Sequence, residues 1–312
     1  MSFMASTPAP PVLAATAGST VRSTGSPTDA TDATDVSDVT VWANGRIVDP
    51  AQPIVSALDH GLVVGDGVFE ACKIVDAKAF ALSRHLRRLA RSAAGLGLGQ
   101  PDESLIRSAV DAVLAARPLP FGKLRITWTD GVGPLGSGRT EGSRPTLVVA
   151  SEPATPAPAE STIHTVPWTR NEHGALAGLK TTSYADNVLA LARAHENGAS
   201  EAIFANTAGN VCEGTGSNIV LAIGGRLVTP PLSSGCLAGI TRELLLEWTD
   251  IEEADVTLDE ARTASEVFVT SSMRDIQPVA HWDGLDLPGA AGPVAAQLTR
   301  LWAARANERM DP

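Results

Sequence analysis

The chain has 312 residues, with 35 acidic against 24 basic side chains and a formal net charge of −11. This length predicts one large domain or two medium ones. The acidic balance argues against nucleic acid as a partner, because nucleic-acid-binding proteins usually carry a basic stripe. No apolar run reaches the roughly eighteen residues of a membrane span, so a membrane partner is not expected either.

The N-terminal part, residues 1–38, is rich in Ser, Thr, Ala, Pro and Asp. Such a composition cannot form a packed core, so we predict a disordered tail there. It lacks the basic and apolar regions of a signal peptide. The cysteines Cys72, Cys212 and Cys236 are far apart and form no metal-binding or redox motif, which predicts reduced core thiols in a cytoplasmic protein.

Residues 39–152 are predicted to form a small N-terminal α/β domain. A hairpin is expected around Asn44-Gly45, because both residues accept the positive φ of a tight turn. Apolar residues at helical spacing predict a helix over 83–95, with Gly95 at its C-terminal cap. KLRITWT (123–129) and PTLVVAS (145–151) are typical of strands.

A proline-rich stretch at 153–163 is predicted to link this domain to a larger C-terminal domain, 164–312. Strands and helices alternate in both halves, so the predicted fold class is α/β (α+β) in two domains. The predicted strands of the second half are 200–206, 217–223, 226–229 and 266–271, and its predicted helices are 186–197, 241–248 and 292–309.

Several separated segments, taken in order, resemble class IV aminotransferases, the fold-type IV pyridoxal-phosphate enzymes. This family includes branched-chain and D-amino-acid aminotransferases and 4-amino-4-deoxychorismate lyase. The resemblance covers residues 40–312 and implies the two-domain fold-type IV architecture with pyridoxal 5'-phosphate as cofactor. The segments are DHGLVVGDGVFE (59–70), RHLRRL (84–89), GLKTTSYADN (178–187), NVCEGTGSNIVL (210–221), GCLAGITREL (235–244) and EVFVTSSMRDIQPV (266–279).

Lys180 stands alone at the end of an apolar, small-residue run. By resemblance it is the lysine that forms the Schiff base with the cofactor and moves protons in the reaction. Such an amine must be neutral part of the time, and desolvation by apolar neighbours lowers a lysine pKa in the required direction. Tyr184 is a candidate hydrogen-bond partner of the cofactor ring hydroxyl.

The resemblance also assigns the other cofactor contacts. Glu213 matches the glutamate that faces the pyridine nitrogen and keeps it protonated, which makes the ring an electron sink. The amides of Ile240 and Thr241 begin an apolar helix, where free N–H groups favour an anion. Together with Ser272 and Arg88 they are the expected phosphate ligands.

The reaction within the family is harder to assign. VGDGVFEACK lacks the glycine-arginine ending of the branched-chain motif, which disfavours that branch. The arginine that grips the substrate carboxylate in D-amino-acid aminotransferases is replaced by Asp130, unless Arg139 or Arg125 compensates. SSMRDIQPV looks more like the lyase, whereas Ala71 stands where some lyases have threonine.

On this balance the sequence favours 4-amino-4-deoxychorismate lyase, which releases pyruvate and forms the folate precursor 4-aminobenzoate. The alternative is an amino-acid aminotransferase. A more remote alternative is a non-catalytic protein that binds the cofactor. Phe69 and Arg139 are the candidate substrate contacts, for a small molecule with an amino group. No metal is expected, because the histidines lack ligand spacing. The family implies a homodimer with the pocket near the subunit interface.

Overall fold

The structure, a computed structural model, describes residues 35–312. Most of the tail predicted for residues 1–38, namely residues 1–34, lies outside the described residues. Val36–Asp38 form a short 3₁₀ helix, and Arg117 donates a hydrogen bond of 2.6 Å to Asp38, so the last residues of the predicted tail belong to the fold. The described residues form one compact unit. Among the described residues, no helix has the length and apolar character needed to cross a bilayer.

The first half of the fold is a six-stranded antiparallel sheet covered by helices. Its elements are β1 (Thr40–Ala43), β2 (Arg46–Val48), α1 (His60–Val63), β3 (Gly67–Val75), β4 (Lys78–Ala79), α2 (Leu82–Leu96), α3 (Glu103–Ala116), β5 (Phe121–Thr129) and β6 (Thr146–Pro153). The strand order is β2-β1-β6-β5-β3-β4. The face that carries Leu124 and Ile126 packs in one core with Leu86 and Leu89 of α2.

Most local predictions for this half are confirmed. Asn44 and Gly45 have φ values of 52° and 86° and join β1 to β2 in a two-residue turn. The helix predicted over 83–95 is α2, but the prediction that Gly95 caps it is wrong. Gly97, with a φ of 72°, takes that position. Gly95 lies inside the helix, where an added Cβ would come within 2.6 Å of the Leu179 side chain.

The second half is a nine-stranded mixed sheet with helices. Its elements are β7 (Ser161–Arg170), α4 (Ala185–Glu196), β8 (Glu201–Asn206), β9 (Val211–Gly214), β10 (Asn218–Ile223), β11 (Arg226–Thr229), α5 (Ile240–Trp248), β12 (Glu252–Glu253), α6 (Leu258–Ala261), β13 (Glu266–Ser271), β14 (Asp275–Trp282), β15 (Leu285–Asp286) and α7 (Pro293–Glu308). The order is β12-β11-β10-β13-β14-β7-β8-β9, and β15 pairs with β14. Short 3₁₀ helices lie at Leu232–Ser234 and Gly289–Ala291.

The two halves are connected between the last strand of the first sheet, β6, and the first strand of the second sheet, β7. Strand β6 ends at Pro153 and β7 begins at Ser161, so residues 154–160 join the two sheets. This shortens the linker predicted for 153–163, while the assignment of two separate domains stays a prediction. The mixed strand pairing, with helices against both sheets, confirms the α/β (α+β) class.

The segment that contains Lys180 lies at the junction of the two sheets. The Phe69 amide at the start of β3 donates to the Lys180 carbonyl at 3.0 Å, and the Thr182 amide donates to the Gly67 carbonyl at 2.8 Å. The Lys180 amide donates to Ser92 Oγ of α2 at 3.1 Å. These hydrogen bonds tie the Lys180 segment, which follows β7, to the first sheet and to α2.

Candidate active site

A cavity of about 440 Å³ opens at this junction. Its walls come from α2, from residues 169–187, from the β9–β10 turn, from residues 235–241 and from residues 270–273. The structure brings together at this cavity every cofactor residue predicted from the sequence. They are Arg88, Lys180, Tyr184, Glu213, Ile240, Thr241 and Ser272.

The Lys180 side chain is half-buried and points its amine into the cavity. Nζ lies 4.3 Å from the centroid of the Phe69 ring and 3.5 Å from the hydroxyl of Tyr184. Burial, aided by the positive charge of Arg88, lowers the pKa of Lys180 to about 8. At pH 7 about one tenth of the amine is therefore neutral, a few hundred times more than for a lysine of ordinary pKa, which favours the chemistry of an amine nucleophile.

Tyr184 stands beside Lys180 at the start of α4. Its ring meets the Phe69 ring edge-on, with the centroids 5.2 Å apart. Burial raises the pKa of the Tyr184 phenol to about 12. The phenol therefore keeps its proton near neutral pH and can donate a hydrogen bond into the cavity.

Glu213, on β9, also lines the cavity. Its Oε2 accepts from the Leu237 amide at 2.9 Å, and Arg170 Nε lies 3.2 Å from Oε1 without the alignment of a hydrogen bond. Burial raises the pKa of Glu213, and Arg170 and the Leu237 amide only partly oppose it. A protonated ring nitrogen beside this carboxyl would stabilise its charged form.

The N-terminus of α5 forms another wall of the cavity. Its N-cap is Gly239, which supplies no side chain to the free amides of the first turn. An added Cβ at Gly239 would lie 1.9 Å from Asn218 Oδ1, so only glycine fits here. The amides of Ile240 and Thr241 thus begin a nine-residue helix, where the helix dipole favours an anion.

Arg88 reaches this wall from α2 and is tied to a buried acid. It donates to Glu70 through Nε at 2.8 Å and Nη2 at 2.6 Å, and through Nη1 to the Ala238 carbonyl at 2.9 Å. His85, one helical turn earlier, places Nδ1 at 2.6 Å from the same Glu70 carboxylate. Sequence reasoning missed Glu70 and His85, although the spacing of His85 and Arg88 on α2 puts them on one helix face.

The two predicted substrate residues have different surroundings. Phe69 is buried against Lys180 and Tyr184, beside the cavity. Arg139 lies outside the cavity lining of this chain. It binds both oxygens of Asp66, at 2.8 and 2.6 Å, so its charge is already paired.

Asp66 belongs to an ion network with His60 and Asp130. The nitrogens of His60 face two acceptors, Asp66 Oδ2 and the Gly136 carbonyl, each at 2.9 Å. Donation to both requires a protonated ring, and the hydrogen bond to Asp66 raises the pKa of His60 accordingly. The network fixes the loop after β5 to the segment before β3.

Arg125 of β5 is a further cation whose charge acts on Lys180. Its guanidinium lies 3.8 Å from the centroid of the Phe69 ring, and its charge contributes to the low pKa of Lys180. Its one hydrogen bond in the described structure goes to the neighbouring Thr127 hydroxyl at 3.2 Å. Among the described residues, Arg125 has no carboxylate within ion-pair distance.

These residues fit pyridoxal 5'-phosphate. A partly neutral amine, an incompletely hydrogen-bonded carboxyl and a glycine-capped helix N-terminus line one cavity. The amine can react with the aldehyde of the cofactor, the carboxyl can face its ring nitrogen, and the helix N-terminus can bind its phosphate. The incompletely paired Glu213 is the most informative of the three, because a buried carboxyl without a full partner favours a cationic group next to it.

Comparisons with known proteins agree with this geometry. A relative from Methanocaldococcus jannaschii that is named as a branched-chain-amino-acid aminotransferase is 35% identical over 254 residues. The match covers 78% of this chain and 88% of the relative. A D-alanine aminotransferase from Listeria innocua is 30% identical, and the match covers 83% of this chain and 93% of the relative. A bifunctional aminodeoxychorismate lyase / D-amino acid transaminase from Mycobacterium tuberculosis is 31% identical, covering 84% and 97%.

Solved structures show the same fold. A hypothetical aminotransferase from Mycobacterium tuberculosis, in its PLP-bound form, superposes with a TM-score of 0.76 at 30% identity and covers 86% of this chain and all of its own. A fold IV-transaminase from Curtobacterium pusillum superposes with a TM-score of 0.75 at 29% identity, and the match covers 85% of this chain and 99% of that one. Residues 67–282, which hold every residue described at the cavity, match the sequence profile of amino-transferase class IV. The chain is therefore a member of the class IV aminotransferase family, an enzyme whose cofactor is pyridoxal 5'-phosphate.

Proposed function

We propose that the protein is an amino-acid aminotransferase in which Arg125 binds the carboxylate of the substrate. The observation that carries this is the guanidinium of Arg125, which has no carboxylate partner among the described residues and which, like the Lys180 amine, lies against the Phe69 ring. A carboxylate next to an amino group is what every α-amino acid presents. Guanidinium groups bind carboxylates in two parallel hydrogen bonds, which fixes orientation as well as affinity.

The strand register explains why Arg125 can take this role. Phe69 pairs with Thr127 and Ala71 pairs with Arg125 across β3 and β5. These four residues share the face of the sheet opposite to the helices, because side chains alternate along a strand. The small Ala71, which pairs with Arg125, lines the cavity, and Arg125 lies next to it just outside the lining. Asp130 is thus not the residue that decides whether a carboxylate can bind.

The protein side of the reaction follows from the same groups. The cofactor, when bound, supplies an aldehyde that captures amines and a ring that stores electrons. Lys180 would act as the general base and acid that takes up and returns the proton of the substrate α-carbon. Glu213 would hold a proton at the ring nitrogen, and Phe69 and Tyr184 pack beside the Lys180 amine.

The lyase favoured from the sequence has less support than the aminotransferase. Relatives named as D-alanine and branched-chain aminotransferases match most of the chain, and the relative with lyase activity in its name is bifunctional. Lyase activity remains the second candidate on the strength of that relative.

A substrate panel tests the choice directly. The purified enzyme is incubated with single D- and L-amino acids and a keto acid, and in parallel with aminodeoxychorismate. The proposal predicts transfer of the amino group from at least one amino acid. Formation of 4-aminobenzoate and pyruvate without any amino transfer would instead establish the lyase.

Replacement of Arg125 tests the carboxylate role. Arg125→Met should raise KM for the amino acid on the order of tenfold to a hundredfold, as expected for loss of a charge-assisted hydrogen-bonded pair, and Arg125→Lys should restore part of it. Arg305→Met, an exposed position at the end of α7, serves as the control. An unchanged KM in Arg125→Met would show that another group binds the carboxylate.

Two further features are proposed for the whole protein. We propose a homodimer, because exposed apolar residues lie on the segment before β3 and on the segment after β5. We also propose a cytoplasmic location, and its support is that the three thiols are all unpaired and buried, as in proteins kept in a reducing compartment.

A further inference from the structure

Behind the phosphate wall of the cavity lies a chain of three hydrogen-bonding groups that cofactor binding alone does not explain. Glu70 Oε2 lies 2.6 Å from His85 Nδ1, and His85 Nε2 lies 3.4 Å from Ser272 Oγ. Glu70 and His85 are buried, and Ser272 lines the cavity. The chain thus runs from a buried acid on β3, through a histidine on α2, to a hydroxyl that faces the proposed phosphate position.

We propose that His85 takes up one proton from solvent when the phosphate of the cofactor binds, and that Ser272 relays the resulting hydrogen bond from His85 to the phosphate. The proposal rests on the phosphate site assigned above. It makes His85 a positioning residue, since it acts on the phosphate through Ser272.

The ring orientation of His85 follows from Glu70. Arg88 binds both oxygens of Glu70, and the pKa of this carboxyl falls to about 2, so it is ionised and can only accept. His85 must therefore present Nδ1–H to it. In a neutral ring Nε2 is then a bare acceptor.

Without an anion in the cavity, the surroundings of His85 favour its neutral form. Burial lowers its pKa, and the positive charges of Arg88 and Lys180 add to this, while Glu70 opposes them. Because Arg88 already neutralises the charge of Glu70, this carboxylate only partly stabilises a protonated His85. The Ser272 hydroxyl then donates to Nε2, so its proton is turned away from the cavity.

A bound dianion reverses this arrangement. Its charge favours the protonated ring, and the new Nε2–H donates to Ser272 Oγ. The Ser272 hydroxyl is released to donate to a phosphate oxygen. One proton enters from solvent and no covalent bond breaks. Affinity for the anion should therefore fall as pH rises between the His85 pKa values of the empty and filled site, by up to about tenfold per pH unit.

Calorimetric titration of the full-length, cofactor-free enzyme with sulfate tests the proposal. Sulfate is a dianion that carries no proton near neutrality, so any proton taken up comes to the protein. Titrations at pH 6.5 to 7 in buffers of different ionisation enthalpy measure that number. Lys180, with a pKa of about 8, is already largely protonated there. The wild-type enzyme should take up about half a proton or more.

Variants identify the group that binds the proton. His85→Gln keeps a polar side chain but cannot titrate, so it should lose this uptake and the pH dependence of sulfate affinity. Ser272→Ala leaves the Glu70–His85 pair intact and should lose uptake and affinity together, whereas Ser272→Thr should restore both.

Three results would overturn the proposal. They are sulfate binding without proton uptake in the wild type, equal uptake in wild type and His85→Gln, and no sulfate binding at all. If no sulfate binds at all, the assignment of the phosphate site is wrong as well. Covalent attachment of the cofactor at Lys180 is measured independently, by absorbance with pyridoxal phosphate.

Discussion

At the scale of single residues, the reactivity of Lys180 depends on its burial. Its pKa falls from 10.5 to about 8, chiefly because the cavity desolvates the ammonium. Only the neutral amine attacks an aldehyde. The rate of covalent cofactor attachment to the cofactor-free enzyme should therefore rise about tenfold per pH unit below pH 8 and level off above it.

Stopped-flow absorbance with pyridoxal phosphate measures this rate. A peptide lysine with an ordinary pKa is the control, and its rate should continue to rise up to about pH 10. An enzyme rate that followed the peptide would show that Lys180 is not desolvated.

The sequence allowed prediction of the residues that identify the cavity, but not of their partners. Lys180 and Glu213 lie in motifs whose order along the chain is distinctive. The roles of Arg125 and Arg170 depend instead on strand register and on the close approach of distant segments. Arg125 is useful because it stacks on Phe69, 56 residues earlier in the numbering, and nothing local to KLRITWT indicates that contact.

At the scale of elements, α2 carries both His85 and Arg88, so its N-terminus affects the cavity. Its N-cap, Ala81, has a left-handed φ of 54° and no side-chain hydrogen bond. Asp311 supplies the missing cap from the other end of the chain, accepting from the Ser83 amide at 2.9 Å and from the Ser83 hydroxyl. The Ala81 amide donates to the Met310 carbonyl at 2.8 Å.

Loss of this cap should destabilise the fold. Asp311→Ala should lower the free energy of unfolding by about 1 kcal/mol, the usual value of an N-cap, and the melting temperature by about 2 °C or more. Asp259→Ala, whose side chain is fully exposed, is the matched control in thermal melts. Equal melting curves for the two variants would show that Asp311 does not cap α2.

Elements differ in how far local sequence determines them. The strands 226–229 and 266–271 are found at the predicted residues. Helix α3 is absent from the prediction although its signals are present, with Asp102 as N-cap and a buried stripe from Ile106 to Leu114. The cap on α2 could not be predicted, because Ser83 and Asp311 are separated by 228 residues.

At the scale of the whole molecule, exposed apolar side chains lie together on two neighbouring segments of the chain. Leu62 is 68% exposed and Leu135 is 75% exposed, and Leu58 and Val132 lie on the same two segments. Asp59 and Val132 form an isolated bridge that places these segments side by side. Contiguous exposed apolar surface marks an interaction site, and two-fold pairing is the commonest way to cover one.

Light scattering should therefore give a mass near twice the 32.3 kDa of one chain. Replacement of both Leu62 and Leu135 by Asp should shift the protein toward the monomer, while the same change at the exposed Leu105 of α3 should not. A fully active wild-type monomer at low concentration would contradict the dimer and leave this surface without an occupant.

The arrangement of the two halves was outside the reach of local patterns. The proline-rich stretch indicated where one sheet ends and the next begins, and the strands stop and start at Pro153 and Ser161. The position of Lys180 between the sheets depends on backbone contacts from Phe69 and Ser92. Such contacts are a property of the assembled fold.

The central claim is that Lys180 carries the cofactor, and borohydride reduction of the holoenzyme followed by peptide mapping tests it most directly. Reduction makes the lysine–cofactor link permanent. The account predicts a pyridoxyl group on the peptide that contains Lys180, and none in a Lys180→Ala variant that retains the fold by circular dichroism. A pyridoxyl group on Lys73, Lys78 or Lys123 in its place would contradict the account.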